Sequence, residues 1–175
     1  LWLRDVRISP AGRNIAFTYR GDIYKVPVSG GQAVRLTAQP SYESLPIWSP
    51  DSRSIAFASD RDGSQDLYIM LADGGAARRL TTYSGTETPE SFSHDGKYVL
   101  FSSAIQDPVE SAAFPSGRLT ELYRVPAGGG RIEQILATPA QMVSPSSDGS
   151  FFLYQDQKGM ENEWRKHHTS SVTRD

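Results

Sequence analysis

Short apolar runs recur along the chain, each bounded by Gly, Pro, Asp or Ser. Four of them share one plan: 14–18 (NIAFT), 54–58 (SIAFA), 98–102 (YVLFS) and 151–155 (FFLYQ). Ile15, Ile55, Val99 and Phe152 form one column, and Phe17, Phe57, Phe101 and Tyr154 form another two residues on. The position between is apolar too: Ala16, Ala56, Leu100 and Leu153. A strand with one wet face alternates apolar and polar residues, whereas a strand apolar at successive positions is covered on both faces. A second strand opens on an acid and reaches an aromatic: Asp22 and Tyr24, Asp66 and Tyr68, Glu121 and Tyr123. Eight residues after each acid stands a glycine pair, Gly30-Gly31, Gly74-Gly75 and Gly129-Gly130, suited to a hairpin turn with positive φ. A last strand ends at VRLT (34–37), RRLT (78–81) and EQIL (133–136).

The turns that precede the first strands fix the period. Ser49-Pro50-Asp51-Ser52 has counterparts at 9–12 (SPAG), 93–96 (SHDG) and 146–149 (SSDG). Pro suits the second position of such a turn, and Asp and Gly cap it and ease the entry into the next strand. The third turn residues, at 11, 51, 95 and 148, lie 40, 44 and 53 residues apart. A repeat of about 40–45 residues with four strands is the period of a propeller blade. The fold class is therefore all-β, a β-propeller of four-stranded antiparallel blades, with units at about 1–37, 38–81, 82–137 and 138–175. The strand before each turn, such as Leu45 to Trp48, is the innermost of its blade, where an edge facing a channel tolerates Pro46.

Two departures from the repeat carry information. The third unit holds an insertion at 104–119 between its second and third strands, and 156–174 occupies the same hairpin in the fourth. Asp175 stands where Asp22, Asp66 and Glu121 stand, so the last unit has two of its four strands. The chain is read as about three and a half blades of a longer protein. Such a partial ring leaves a blade face open at each end and a free strand edge, so self-association, as a dimer completing a ring, is expected. The long hairpins and the inter-blade connections emerge on one face, which is where binding is expected.

Composition narrows the functions. A formal charge of −2 and a pI near 5.9 give no basic field for nucleic acid. The absence of Cys excludes disulfides, thiolate metal sites and a thiol nucleophile within these residues. No apolar run is long enough for a membrane helix. Asp60, Asp62 and Asp66 alternate as in some calcium loops, but an Asp-Gly hairpin needs the same residues and the terminal Glu is absent. His167 and His168 near Glu161 and Glu163 lack metal-ligand spacing, so neither a metal nor a cofactor is expected. Trp164 beside them is a candidate contact with a neighbouring domain. There is no GxSxG elbow, and His94 sits in a turn, so no catalytic residue is assigned. Glu43 and Glu87 each lie eight residues before the turn Asp. They suit either of two roles, binding a peptide amino group or accepting N–H groups of the connecting loop.

The stretch WSPDSRSIAFASDRDGSQDLYIMLADGG (48–75) resembles the repeat of the periplasmic Tol-system propeller and of propellers attached to tricorn-type serine proteases. The opening WLRDVRISPAGRNIAFTYRGDIYKVPVSGGQAVRLT and the closing LYQDQKGMENEWRKHHTSSVTRD are most similar to the tricorn-like group. Ala11, where the repeat has Asp, and Pro145, where Trp48 and Phe92 stand, depart from the pattern. The resemblance implies a non-catalytic propeller that guides or filters peptide substrates and mediates assembly. A PDZ-like domain and a serine peptidase core further along the chain would be its partners. It also implies export to the periplasm. A protein-binding scaffold of the Tol type and the propeller of a prolyl-oligopeptidase-like enzyme are the alternatives.

Overall fold

The computed structural model describes residues 2–104 and 120–156. The first sheet holds β1 (Arg4–Ile8), β2 (Asn14–Tyr19), β3 (Asp22–Pro27) and β4 (Val34–Arg35) in that spatial order. The second repeats it with β5 (Glu43–Trp48), β6 (Ser54–Ser59), β7 (Asp66–Leu71) and β8 (Arg78–Arg79). The third holds β9 (Glu87–Phe92), β10 (Tyr98–Ser103), β11 (Glu121–Pro126) and β12 (Glu133–Pro145), and β12 continues into a pair with β13 (Phe152–Asp156). Every pairing is antiparallel and sequential, so each sheet is a meander.

The turns that set the repeat hold themselves together. Ser49 Oγ donates to Asp51 at 2.6 Å and accepts the Ser54 N–H at 2.9 Å. Ser93 and Asp95, and Ser146 and Asp148, repeat the bond at 2.7 Å. These bonds hold Asp51, Asp95 and Asp148 below the usual carboxylate range, the serine hydroxyl being the largest cause. The fourth turn residue has positive φ in every unit, at Gly12, Ser52, Gly96 and Gly149. Ala11 cannot make the carboxylate bond, and its N–H is instead taken by Ser52 Oγ of the next unit at 3.1 Å.

Two details of the strands differ from expectation. The outer strands β4 and β8 are only two residues long, because Thr37 and Thr81 leave the ladder. Their hydroxyls accept the N–H groups of Ile23 and Leu67, both at 2.9 Å. In addition, β12 is one 13-residue strand serving the third and fourth units, where two strands were expected. The cause is a shorter link. From the second glycine of the pair to the third turn residue, 31 to 51 and 75 to 95 span 20 positions, but 130 to 148 spans 18. Pro46 and Pro89 do lie on the inner edge strands, where a missing N–H costs no ladder bond. Beside them the inner strands carry bulges, with positive φ at Asp5, Leu45 and Met142.

The alternation along the second strands divides the core into inter-sheet layers. Ile55, Phe57, Tyr68 and Met70 of the second sheet pack against Ala16 and Ile23 of the first. Ala56 and Leu67, on the opposite face, pack against Phe92, Val99, Phe101 and Tyr123 of the third. Leu100 and Leu122 then meet Ala140, Val143 and Phe152. In the first two interfaces the rings of one blade fill the space over the alanine of the blade before it, Phe57 over Ala16 and Phe101 over Ala56. The recurrent Tyr pairs with the Phe directly opposite on its own sheet. Phe17 and Tyr24, Phe57 and Tyr68, and Phe101 and Tyr123 stack with centroids 5.7, 5.9 and 5.6 Å apart. Trp48 Nε1 adds a hydrogen bond to the Arg7 carbonyl of the first sheet at 3.0 Å.

Phe57 is fully buried, while Leu153 at the open end is 68% exposed. Phe57→Ala is expected to cost about 3–5 kcal/mol and Leu153→Ala less than about 0.5 kcal/mol. Urea-unfolding midpoints of the two variants check this.

Candidate functional site

The β2–β3 and β6–β7 hairpins and the connections at 36–42 and 80–86 gather at one end of the sheets. Backbone bonds fasten them: Glu43 N–H to the Gly21 carbonyl at 2.8 Å, Glu87 N–H to Gln65 at 3.0 Å, and Ala140 N–H to Thr120 at 3.0 Å. Behind this surface lies a row of buried acids. Asp22 and Asp66, the opening acids of β3 and β7, are met by Arg35 at 2.8 Å and Arg79 at 2.7 Å from the neighbouring outer strands. Bonding to these carboxylates raises the pKa of both arginines. In the third sheet Gln134 replaces the arginine and donates to Glu121 at 2.7 Å.

Glu43 and Glu87 are both fully buried. Glu43 pairs with Arg61, whose guanidinium also covers the Tyr68 ring at 4.4 Å. Glu87 accepts from the Thr81 hydroxyl and from the backbone N–H of Tyr83 in the connecting loop. Glu87 is thus bonded to the connecting loop, whereas Glu43 is tied to Arg61 of the β6–β7 hairpin. Asp22, Glu43, Asp66 and Glu87 each keep one oxygen without a hydrogen-bond partner among the described residues. Burial pushes the Glu87 carboxyl up to about 7, and nearby Asp66 adds to the shift against the opposing Thr81 bond.

The acids of the 60–66 hairpin are individually engaged. Asp60 accepts the Tyr42 N–H at 2.7 Å, Asp62 takes the Tyr68 hydroxyl, and Asp66 holds Arg79. That is a pinned turn. No group of three or more His, Asp or Glu side chains placed to hold a metal occurs among the described residues. Trp164, His167 and His168 lie outside the described residues, as does nearly all of the 104–119 insertion. The Arg35 and Arg79 partners were missed in the sequence, although both stand in the recurring R-L-T. Arg61 has no counterpart in the first repeat, where Gly21 stands, and so gave no signal.

On the surface side, the first and second sheets leave a cleft of about 710 Å³ between them, lined by Arg20, Arg35, Ser41, Tyr42, Asp60 and Arg61 among others. Nothing in it has the geometry of a nucleophile with a base. It is a polar recess with arginines at its wall, on a rigid rim.

Consecutive four-stranded meanders, stacked face to face with their loops at one end, define a β-propeller assembly. The chain belongs to the family of the tricorn protease N-terminal beta propeller domain, whose profile it matches over residues 2–174. It is 35% identical over 60 residues to Tricorn protease homolog 1 of Streptomyces coelicolor, covering 34% of this chain and 6% of that protein. A structure assigned as TolB from Agrobacterium tumefaciens superposes with a TM-score of 0.70 at 28% identity, over 87% of this chain and 53% of that one. The tricorn protease crystal structure gives 0.67 at 24% identity, over 84% and 14%, and so supports the fold alone. The chain thus spans about half of the TolB chain and a small part of each protease.

Because folding leaves the Glu87 carboxyl above its ordinary range, the native state holds this proton to higher pH than the unfolded chain. Its contribution to stability is full below about pH 4.5 and is lost as pH rises through about 7. Glu87→Gln, neutral at every pH, should gain on the parent between pH 5 and 8, by up to about 3 kcal/mol. Denaturant midpoints at the two pH values measure the difference.

Proposed function

We propose that this chain is the non-catalytic propeller portion of a serine peptidase, guiding or filtering peptide substrates at its loop-rich face and contributing to assembly. The observation that carries the reading is the family match across 2–174. The cleft between the first two sheets, with its wall residue Arg61 held by buried Glu43, supports it as a place where an extended chain is held. The peptidase centre lies elsewhere in the complete protein, and the reading carries with it an exported, periplasmic location. No helix among the described residues is long and apolar enough to cross a membrane. A protein-docking scaffold is the second reading, favoured by the TolB-like structure.

The experiment uses the complete protein. Ser41→Trp, which fills the cleft, should lower kcat/KM for a ten-residue peptide by roughly tenfold while leaving a tripeptide substrate unchanged. A gene encoding no peptidase core beyond Asp175, or equal loss on both substrates, overturns the reading.

The 175-residue chain itself is proposed to pair with a second copy. Val6 and Ile8 (63% exposed) on the first sheet and Leu153 (68% exposed) on the last lie on faces that in the inner blades are covered. Light scattering should give twice the monomer mass; a monomer at high concentration argues against pairing.

A further inference from the structure

The first blade differs from the second in one respect that opens a second recess. Its β2–β3 hairpin has a two-residue turn, Arg20-Gly21, whereas 60–65 joins β6 to β7. In the second blade Arg61 folds back over the Phe57 and Tyr68 rings and pairs with Glu43. The short hairpin has no such side chain to fold back. A cleft of about 600 Å³ remains over the first blade, walled by Trp2, Tyr19 and Tyr42 with Arg4, Arg20 and Gly21. Arg20, Gly21 and Tyr42 also line the cleft between the first two sheets, so the two recesses meet at the hairpin tip.

Arg20 is the unusual residue. Its φ is 53° and that of Gly21 is 85°, so both turn residues are left-handed. A turn with two positive φ values favours Asn, Asp or Gly at its first position, and arginine there is held at a local cost. Such cost points to a use for a side chain that makes no ion pair among the described residues. Arg20 is exposed, and its guanidinium lies 5.4 Å from the centroid of the Tyr19 ring. Neither Arg20 nor Arg4 pairs with a carboxylate among the described residues. The other two arginines of the joined recess are occupied, Arg35 by Asp22 and Arg61 by Glu43. Asp60, the one acid of the recess not bound to a cation among the described residues, is held by the Tyr42 N–H at 2.7 Å. The platform is rigid: a Cβ on Gly21 would stand 3.2 Å from the Tyr42 ring, and Glu43 N–H binds the Gly21 carbonyl. Trp2 is 83% and Tyr42 47% exposed, so flat apolar surface flanks two free cations.

We propose that this recess binds acidic peptide segments, with Arg4 and Arg20 taking Asp or Glu side chains and Trp2, Tyr19 and Tyr42 taking the apolar or aromatic residues between them. Guanidinium groups bind carboxylates through charge-assisted, often bidentate bonds, and exposed Tyr and Trp give contact area at small entropic cost. The proposal rests on the peptide-handling reading above and adds to it a preference for negative charge at the entrance.

The test is anisotropy of a labelled, C-terminally amidated hexapeptide alternating Glu and Phe, titrated with the full chain, beside its Gln-for-Glu counterpart. The acidic peptide should bind at least about tenfold more tightly, and Arg4→Gln with Arg20→Gln should remove that margin. Arg13→Gln, on the turn at the opposite end of the sheet, should leave it intact. Arg20→Gly separates function from folding: it should raise the unfolding midpoint, because glycine fits the left-handed position, yet weaken the acidic peptide. Equal binding of the two peptides, or an undiminished margin in the double variant, overturns the proposal. Preference for a neutral or basic peptide refutes the acidic preference and leaves the peptide-handling reading standing, whereas no binding of any peptide counts against both.

Discussion

The packing of one blade's aromatic face onto the opposing face of the blade before it is the contact on which everything else here depends. No sheet in this chain has a core of its own. The inner sheets are covered on both sides by neighbours, and their second strands must be apolar at consecutive positions for that reason. Ala16 and Ala56 give room for the rings of the following blade, while Leu100 takes that position in the third unit and packs against Val143 and Phe152. The constraint also explains the exposed apolar residues. Val6, Ile8 and Leu153 follow the same pattern as their buried counterparts and are open only because no neighbour lies over them.

That layered core leaves the sheet ends free to specialise. At one end, the turns repeat nearly unchanged, and the three that carry Asp are each closed by their own hydroxyl–carboxylate bond. At the other, buried acids hold hairpins and connections, and the ties differ from blade to blade: Arg61 with Glu43 in one, Thr81 with Glu87 in another. A carboxylate as buried as Glu87 costs stability when ionised, which a purely structural core would avoid. The arrangement fixes loop positions at the end where the clefts lie, and this links the interior chemistry to the proposed peptide-handling surface.

Much of the fold was legible because it repeats. A single Phe or Gly is ambiguous, but Phe17, Phe57 and Phe101 at one phase, with Gly pairs at another, leave little freedom in assigning strands and turns. What the repeat could not convey was the behaviour of side chains that break it. Arg61 and Arg20 occupy the same hairpin in successive blades, yet one is paired with Glu43 and the other makes no ion pair among the described residues, a difference set by loop length and three-dimensional neighbours. Glu43 and Glu87 were identifiable as a column, but their burial and their partners depend on groups elsewhere in the fold.

By itself, the sequence determined the strand order, the blade period and which face of each strand is apolar, since these follow from local spacing and from the two-residue period of a strand. The three-dimensional packing decided which charges neutralise one another and which arginines remain free. Those outcomes depend on distances between residues tens of positions apart, and such distances exist only once the blades are stacked.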